Sequence, residues 1–303
     1  MDPAEHGKLG LSAGLASVVV ALLLVSLKLW ALLATGALSI AASLADSALD
    51  LLMSLGAALA IVYSARPADE DHAFGHSAVE DLAALAQSLL VSGSAVAIIT
   101  TAFSRLRDPH PAGLSAEGTG LFVMVVSILL TAALVWWQGH VAEKTGNRVV
   151  AADRLHYLGD LLPSLGAILA LLLSSQFGLA GADTLIAILA GLFMLYSAFG
   201  IGKAAWDALM DRAAPAETLG LIHKIAEKYE GVHGHHDLKT RTSGSRLFIS
   251  LHIELDGDQS LREAHAISAG LKLALKAALP NAEIIIHKDV ASPRSPVESL
   301  LAP

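Results

Sequence analysis

Six long apolar stretches fill the first two thirds of the chain and restrict the folds that it can adopt. Each is longer than the roughly 20 residues that a helix needs to cross the hydrocarbon core of a bilayer. Only 16% of the residues are charged, whereas about 25% is typical of soluble proteins. The sequence therefore predicts a membrane α-helical domain over residues 1–210 with six transmembrane helices, at Leu9–Ala34, Leu38–Ser64, Glu80–Phe103, Glu117–His140, Val149–Ser174 and Asp183–Trp206.

An even number of spans places both termini on the same side of the lipid bilayer. The first stretch is too long for the core of a cleaved signal peptide, which favours a retained helix. The positive-inside rule assigns the side whose short loops carry more Lys and Arg to the cytoplasm. This comparison favours cytoplasmic termini, with Lys8, Arg66, Lys144 and Arg148 on one side against Arg105 and Arg107 on the other.

Two pairs of metal-binding side chains lie inside these apolar stretches. Asp46 and Asp50 are four residues apart in the second span, and His156 and Asp160 are four apart in the fifth. Residues i and i+4 share one face of a helix, so each pair points one way. Together they would form a tetrahedral site for a divalent metal such as Zn²⁺. The alternative is that these residues cap helices or pair with Lys28.

The same residues predict an exchange chemistry. Carboxylates a few ångströms apart in hydrocarbon cannot all remain ionised, so without metal the cluster should hold protons. Metal binding requires deprotonated ligands and should displace those protons. A site that exchanges M²⁺ for H⁺ can be driven by a proton gradient, which is the chemistry of a metal/proton antiporter.

A second candidate metal site lies in the polar loop after the second span. Asp69, His72 and His76 have residue types that suit Zn²⁺. A flexible loop would make such a site weak or transient. The alternative is a solvated acidic loop with incidental histidines.

After residue 210 the pattern becomes that of a small soluble domain. Residues 211–290 predict an α+β order of αββαβ, with a small sheet that carries helices on one face. Residues 291–303 predict a disordered tail. The elements are a helix at Pro215–Tyr229, strands at Val232–Thr242 and Leu247–Leu255, a helix at Ser260–Leu279 and a strand at Glu283–Asp289.

This domain offers a third candidate metal site. Alternation along a strand places His287 and Asp289 on one face, and Asp289 could bridge two metals. The alternative for each His is an ordinary surface histidine, and His233 and His235 are interpreted only as neighbours. The candidate ligands are His236, His252, His265, His287 and Asp289.

The residues also disfavour several functional classes. The chain has no Cys, which excludes disulfides and thiolate metal sites. A net charge of −8 gives no basic surface for nucleic acid. An intramembrane aspartyl protease would carry Gly-x-Gly-Asp, whereas this chain has Tyr157-Leu158-Gly159-Asp160. The His-Glu-x-x-His motif of zinc proteases is absent from the sequence. A membrane-anchored metal sensor or scaffold, whose soluble domain binds zinc, is the alternative to a transporter.

Taken together, these motifs resemble the cation diffusion facilitators, and in particular their bacterial zinc/ferrous-iron efflux branch. The resemblance extends over about residues 8–290. It is carried by Asp-x-x-x-Asp, His-x-x-x-Asp and local strings such as Ala-Asp-Glu-Asp-His-Ala-Phe-Gly-His at 68–76, Leu-Ala-Ala-Leu-Ala-Gln-Ser at 82–88 and Ile-Ile-Ile-His-Lys-Asp at 284–289.

The resemblance implies a homodimer in the bacterial inner membrane that exports divalent metal from the cytoplasm by exchange for protons. It implies alternating access around the four intramembrane ligands, with the loop and C-terminal sites as above. It also implies a ferredoxin-like cytoplasmic domain that dimerises and binds zinc. In family members an all-Asp transport site commonly implies manganese, so His156 favours Zn²⁺ here, with Cd²⁺ and Fe²⁺ as alternatives.

Two positions depart from that branch. Ala78 stands where the branch has a Lys that helps to pair the protomers with an Asp near the end of the sixth span, here Asp211. Lys288 stands where the branch often has Gln, between the final His and Asp.

Overall fold

Six long helices form the first part of the protein. The computed structural model describes residues 3–35, 38–107, 118–177 and 182–291. One compact unit comprises Ala4–Leu209, and a second comprises Met1–Pro3 with Met210–Pro303. The helices of the first unit are α1 (Pro3–Thr35), α2 (Leu38–Ser64), α3 (Ala78–Arg107), α4 (Gly118–Thr145), α5 (Arg148–Phe177) and α6 (Ala182–Leu209).

Each predicted span corresponds to one of these helices. α5 is a helix of 30 residues, although some of its side chains fall outside the described set. The predicted turns at 35–36 and 177–182, and the loop after Phe103, also lie partly outside the described residues. Over the described residues, five helices are long and apolar enough to cross a membrane, with spans at Gly7–Ala34, Asp46–Ser64, Ala78–Ser104, Phe122–Thr145 and Leu185–Leu209.

In this unit large apolar side chains lie on the outer surface, and several polar side chains lie in the interior. Leu59, Trp136 and Tyr196 are 67%, 73% and 81% exposed. Ser17 and Gln138 are instead fully buried between the helices. Soluble proteins bury apolar side chains and expose polar ones, so this distribution is that of a unit surrounded by hydrocarbon.

The helices of this unit pack against one another to different extents. α3 packs most extensively against α6, whereas α2 meets α5 through far fewer residues. A Cβ at Gly191 of α6 would collide with the side chain of Ile99 of α3. Small residues at a helix interface let the two backbones approach closely, so Gly191 permits the tight α3–α6 contact.

Buried polar pairs join three helix ends. Asp81 near the start of α3 is 1% exposed and forms an ion pair with Arg148 at the start of α5. The neighbouring Glu80 accepts a hydrogen bond of 2.7 Å from the hydroxyl of Ser64 at the end of α2. Breaking a buried ion pair leaves an uncompensated charge, so these contacts fix the relative positions of α2, α3 and α5 at this end.

The second unit has the predicted αββαβ order. Its three-stranded sheet has the order β1-β2-β3, with β1 antiparallel and β3 parallel to β2. The predicted tail falls outside the described residues, apart from Ala291. The elements are α7 (Ala216–Glu227), β1 (Gly234–Ser243), β2 (Arg246–Leu255), α8 (Leu261–Ala278) and β3 (Ala282–Val290).

One face of this sheet forms the core of the unit. Leu251 and Ile253 of β2 are fully buried in one cluster with Ile222 of α7 and Leu271 of α8. The alternate residues of β2, including His252, point to the opposite face. A helical membrane domain followed by a small α+β domain is the predicted fold class, which is confirmed.

Candidate metal centres

The contact between α2 and α5 brings together three of the four predicted intramembrane ligands. His156 Nε2 lies 3.1 Å from Asp50 Oδ1, across the two helices. Asp50, His156 and Asp160 each offer a ligand atom within 4.8 Å of those of the other two. We call these three residues the intramembrane cluster. It has the oxygen and nitrogen donors that a divalent transition metal prefers.

The fourth predicted ligand, Asp46, lies one helical turn before Asp50 and is exposed. It is close enough to Asp160 to interact with it electrostatically. Lys28 of α1 lies beside the same residues, and its ammonium donates hydrogen bonds to Ser47 Oγ at 2.6 Å and to the carbonyl of Ser43 at 3.2 Å. Lys28 therefore has partners on α2 and also places a positive charge near the carboxylates.

A buried network that the sequence analysis missed lies one turn before His156 on α5. Asp153 Oδ2 accepts hydrogen bonds from Ser17 Oγ at 2.5 Å and from Gln138 Nε2 at 2.7 Å. Ser17 Oγ lies 3.1 Å from Ser54 Oγ and can accept a hydrogen bond from it, and the Ser54 hydroxyl lies 2.7 Å from that of Tyr157. The network therefore connects α1, α2, α4 and α5 beside the intramembrane cluster.

Two atoms of this network have no hydrogen-bond partner among the residues that the structure describes. They are Asp153 Oδ1 and Gln138 Oε1, both buried. Asp153 is 2% exposed. The sequence did carry a signal for it, since Asp153 is a further carboxylate inside a predicted span and three residues before His156.

The loop between α2 and α3 brings together all three of its predicted ligands. Asp69 Oδ1 lies 3.2 Å from His72 Nδ1, and Asp69 Oδ2 lies 3.3 Å from His76 Nε2. All three ligand atoms lie within 4.8 Å of one another. We call these residues the loop cluster. Gly75 adopts a positive φ of 79°, which lets the chain turn between the two histidines.

Local contacts organise this loop. The backbone N–H groups of His72 and Asp71 donate to Asp69 Oδ1 at 2.7 and 3.1 Å. The bond from the His72 amide is the main cause that lowers the pKa of Asp69. His76 is 5% exposed and packs edge-on against the ring of Tyr63. These contacts favour a shaped loop over a freely solvated one.

The face of the C-terminal sheet opposite the core carries a row of histidines. His236, His252 and His287 lie opposite one another on β1, β2 and β3. Asp289 Oδ2 lies 2.9 Å from His252 Nδ1 and 3.3 Å from His236 Nε2, and its Oδ1 lies 3.3 Å from His287 Nε2. We call these four residues the sheet cluster.

Asp289 stands at the centre of the sheet cluster. Its hydrogen bond with His252 is the main cause that lowers the pKa of Asp289, and the nearby histidines add to the effect. Both carboxylate oxygens face imidazoles, so Asp289 could bridge two metals, as the sequence predicts. The fifth predicted ligand, His265, is exposed on α8 and lies outside the group of close ligand atoms formed by His236, His252 and Asp289.

A further histidine pair was missed. His223 Nδ1 of α7 lies 2.6 Å from His235 Nε2 of β1. Burial, together with the charge of His223, lowers the pKa of His235. His235 was interpreted only as a neighbour of the sheet cluster, and His223 was not considered, because residues 12 apart in sequence show no fixed spacing before the fold is known.

The structure places both departures from the family pattern, Ala78 and Lys288, within regular secondary structure. Ala78 is the first residue of α3. Asp211 pairs with Arg241 within its own unit at 3.2 Å. Lys288 lies on β3 between His287 and Asp289, and alternation directs its side chain to the other face of the sheet.

Comparison with known proteins identifies the family. A family model described as the cation efflux transmembrane domain matches residues 14–210, and one described as the cytoplasmic domain of cation efflux proteins matches residues 214–290. The chain belongs to the cation diffusion facilitator, or cation efflux, family. It is therefore a multi-span membrane transporter of metal cations and not a catalytic enzyme.

Relatives of this cation efflux protein extend over almost its whole length. The cation-efflux pump FieF of Cronobacter sakazakii (strain ATCC BAA-894) is 41% identical over 288 residues, which cover 95% of each chain. FieF of Serratia proteamaculans (strain 568) is 41% identical over 292 residues, or 96% of each chain. The resemblance to the bacterial efflux branch is thus confirmed.

The cytoplasmic domain also resembles solved structures. One, described as the zinc form of a putative zinc transporter CzrB, is 31% identical and covers 28% of this cation efflux protein and 98% of that chain. Its TM-score is 0.27.

The Asp153 network yields a stability prediction. Replacing Asp153 with Leu would leave the Ser17 hydroxyl and the Gln138 amide without their acceptor, at a cost of about 1–3 kcal/mol for each buried group. We expect a lower free energy of unfolding and a lower melting temperature in detergent micelles. Asp153→Asn is the matched control, because its amide keeps the size and one oxygen acceptor. Equal melting of Asp153→Leu and wild type would contradict the prediction.

Proposed function

We propose that this cation efflux protein exports Zn²⁺ across the bacterial inner membrane in exchange for protons, with Asp46, Asp50, His156 and Asp160 as its transport site. The observation that carries the proposal is the convergence of Asp50, His156 and Asp160 from two helices that span the membrane domain. Intramembrane ionisable residues that meet in a helix bundle are typical of ion pathways.

The choice of metal follows from the donor set. A site of one imidazole and three carboxylates offers four hard or borderline donors, which suit tetrahedral Zn²⁺. Ca²⁺ and Mg²⁺ prefer more ligands and oxygen alone, and His156 therefore disfavours them. Cd²⁺ and Fe²⁺ are the alternative substrates.

The coupling to protons follows from the charges. Asp50 and Asp160 lie near each other in a medium of low dielectric, where two like charges repel strongly. Binding of a metal ion relieves this repulsion, and so does binding of protons to the carboxylates. Because a metal ligand must be deprotonated, the two occupancies exclude each other. This exclusion is the coupling that an antiporter requires.

Asp46 gives the site a way to change shape during alternating access. It lies on the same face of α2 as Asp50, one turn away, and it is exposed where Asp50 is half-buried. A small rotation or shift of α2 against α5 would add Asp46 to the intramembrane cluster or remove it. The metal would have four protein ligands in one arrangement and three in the other, which would let it leave.

The positive charge of Lys28 supports the same cycle. Its ammonium is fixed to α2 by Ser47 and Ser43, beside the transport carboxylates. It offsets part of their negative charge when no metal is bound. It also adds repulsion toward a bound cation, which weakens binding and favours release.

The cytoplasmic domain supplies dimerisation and regulation in this proposal. Both termini lie in the cytoplasm, and the protein works as a homodimer. The sheet cluster binds Zn²⁺ and draws two protomers together, which biases the membrane domains. The loop cluster binds metal near the ends of α2 and α3. A sensor that is merely anchored would need one span and no ligands inside the membrane, and the intramembrane cluster therefore favours transport.

Removal of Asp50 tests the transport site. Asp50→Ala deletes the carboxylate that contacts His156. Losing a residue that merely orients a metal ligand already lowers metal affinity or activity by about 10- to 100-fold, and losing a ligand should cost at least as much. We expect Zn²⁺-dependent proton flux to fall to background in proteoliposomes that contain a pH-sensitive dye. Glu143→Gln, which removes an exposed carboxylate of α4, should keep wild-type flux. Undiminished flux in Asp50→Ala would refute the proposed site.

Replacement of His156 tests the selectivity. His156→Asp makes the site all-carboxylate, which suits harder cations. We expect the ratio of Zn²⁺ to Mn²⁺ transport to fall by about tenfold, a change of about 1.4 kcal/mol in relative affinity. Initial rates for Zn²⁺, Cd²⁺, Fe²⁺ and Mn²⁺ would measure it. An unchanged order of the four metals would show that His156 does not select the substrate.

Distances between protomers test the regulatory role of the cytoplasmic domain. Spin labels at Lys272, an exposed residue of α8, should move relative to each other when Zn²⁺ fills the sheet cluster. His252→Ala should abolish the change, because His252 contacts Asp289 at the centre of the cluster. Identical distance distributions from nanomolar to millimolar Zn²⁺ would rule out this role.

A further inference from the structure

A pair of imidazoles joins α7 to β1 on the cytoplasmic domain, apart from the sheet cluster. His223 Nδ1 and His235 Nε2 are 2.6 Å apart. Two atoms that can bind a metal are thus brought together from two different elements. Their ring centroids are 4.9 Å apart. Two imidazoles this close cannot both point a proton at the other, so at least one of the facing nitrogens carries a lone pair.

The strand separates this pair from the sheet cluster. His235 and His236 are consecutive on β1, and successive side chains of a strand point to opposite faces. His236 faces Asp289 and His252 on the open face. His235 faces His223 of α7 instead. The two groups of histidines are therefore different sites that share one strand.

A carboxylate shares the helix face of the first histidine of the pair. Glu227 is four residues after His223 on α7, so both side chains occupy one face of the helix. The negative charge of Glu227 also acts on His235, although its carboxylate oxygens do not lie within 4.8 Å of both imidazole nitrogens in this structure. The side chain of Glu227 is exposed, so its carboxylate can turn toward the two nitrogens without disturbing the core.

We propose that His223, His235 and Glu227 form an additional binding site for a divalent transition metal, with solvent water in the remaining position. Two imidazoles and one carboxylate suit Zn²⁺, Ni²⁺ or Cu²⁺ and exclude hard cations such as Mg²⁺. This site is not used in the transport mechanism, and its existence does not depend on which metal is exported.

A metal at this site would join two elements of the domain. α7 is the first element of the cytoplasmic domain, and β1 carries His236 of the sheet cluster. A bound metal stabilises the state that binds it in proportion to its concentration relative to Kd. A bound metal would therefore hold α7 against β1, the strand that supplies His236 to the sheet cluster.

Metal counting on the full-length protein tests the proposal. The metal-free protein in detergent micelles is titrated with Zn²⁺ and, separately, with Cu²⁺, and bound equivalents per protomer are measured by equilibrium dialysis. His223→Gln and His235→Gln should each lose one equivalent, and the double variant should lose the same single equivalent. His233→Gln is the matched control, since this exposed His lies two residues from His235 and should keep the wild-type count.

Further variants separate this site from the sheet cluster and from misfolding. His236→Gln should lose metal from the sheet cluster, and its combination with His223→Gln should lose a further equivalent. Glu227→Gln should weaken binding at the new site by about tenfold. The Cu²⁺ electron paramagnetic resonance spectrum should lose a two-nitrogen signal only in the His223 and His235 variants, and amide exchange of β2 should match wild type in all of them.

An unchanged metal count and spectrum in His223→Gln and His235→Gln would overturn the proposal and leave the pair as a hydrogen bond only. A loss of equivalents together with fast exchange of β2 would also overturn it, because the loss would then follow from unfolding. Transport failure in Asp50→Ala with normal counts at this site would leave it standing, so the two proposals are tested separately.

Discussion

A carboxylate surrounded by hydrocarbon has to be neutralised, and this requirement explains how the membrane domain is built. Asp50 and Asp160 meet His156 and the charge of Lys28. Asp153, one turn away, is surrounded by hydroxyl and amide groups from three other helices. The apolar outer surface can face lipid only because these groups satisfy one another inside. The same contacts connect α1, α2, α4 and α5. The polar groups whose burial in hydrocarbon costs free energy therefore also determine which helices pack together.

The cytoplasmic domain places its histidines by a different rule, the alternation of side chains on strands. β2 sends Leu251 and Ile253 into the core and His252 to the open face. Pairing of β2 with β1 and β3 then places three imidazoles side by side across the sheet, near Asp289. A slip of one residue in either pairing would turn the histidines of that strand away from the others. The core and the sheet cluster are therefore fixed by one and the same register.

Local spacing could be predicted from the sequence, and long-range contacts could not. Apolar length located the six helices, and alternation located β2. The i,i+4 rule predicted each half of the proposed transport site, but nothing within one helix can show that α2 touches α5. The contact of His223 with His235 depends on how α7 packs on the sheet, so spacing could not reveal it. Asp153 had a visible signal, but its partners Ser17 and Gln138 are unremarkable in sequence.

The unequal packing of the membrane helices has a mechanical consequence. α3 and α6 are in close backbone contact at Gly191, and separating them would expose a large interface at once. α2 contacts α5 through few residues, and Asp50 and His156 of the proposed transport site are among them. In the proposed mechanism a bound metal would therefore bridge this small α2–α5 contact, whereas the hydrogen bond from Ser64 to Glu80 holds the end of α2 to α3. A metal bound at the proposed site would join α2 to α5, and its release would remove that link and leave α2 freer to shift against α5.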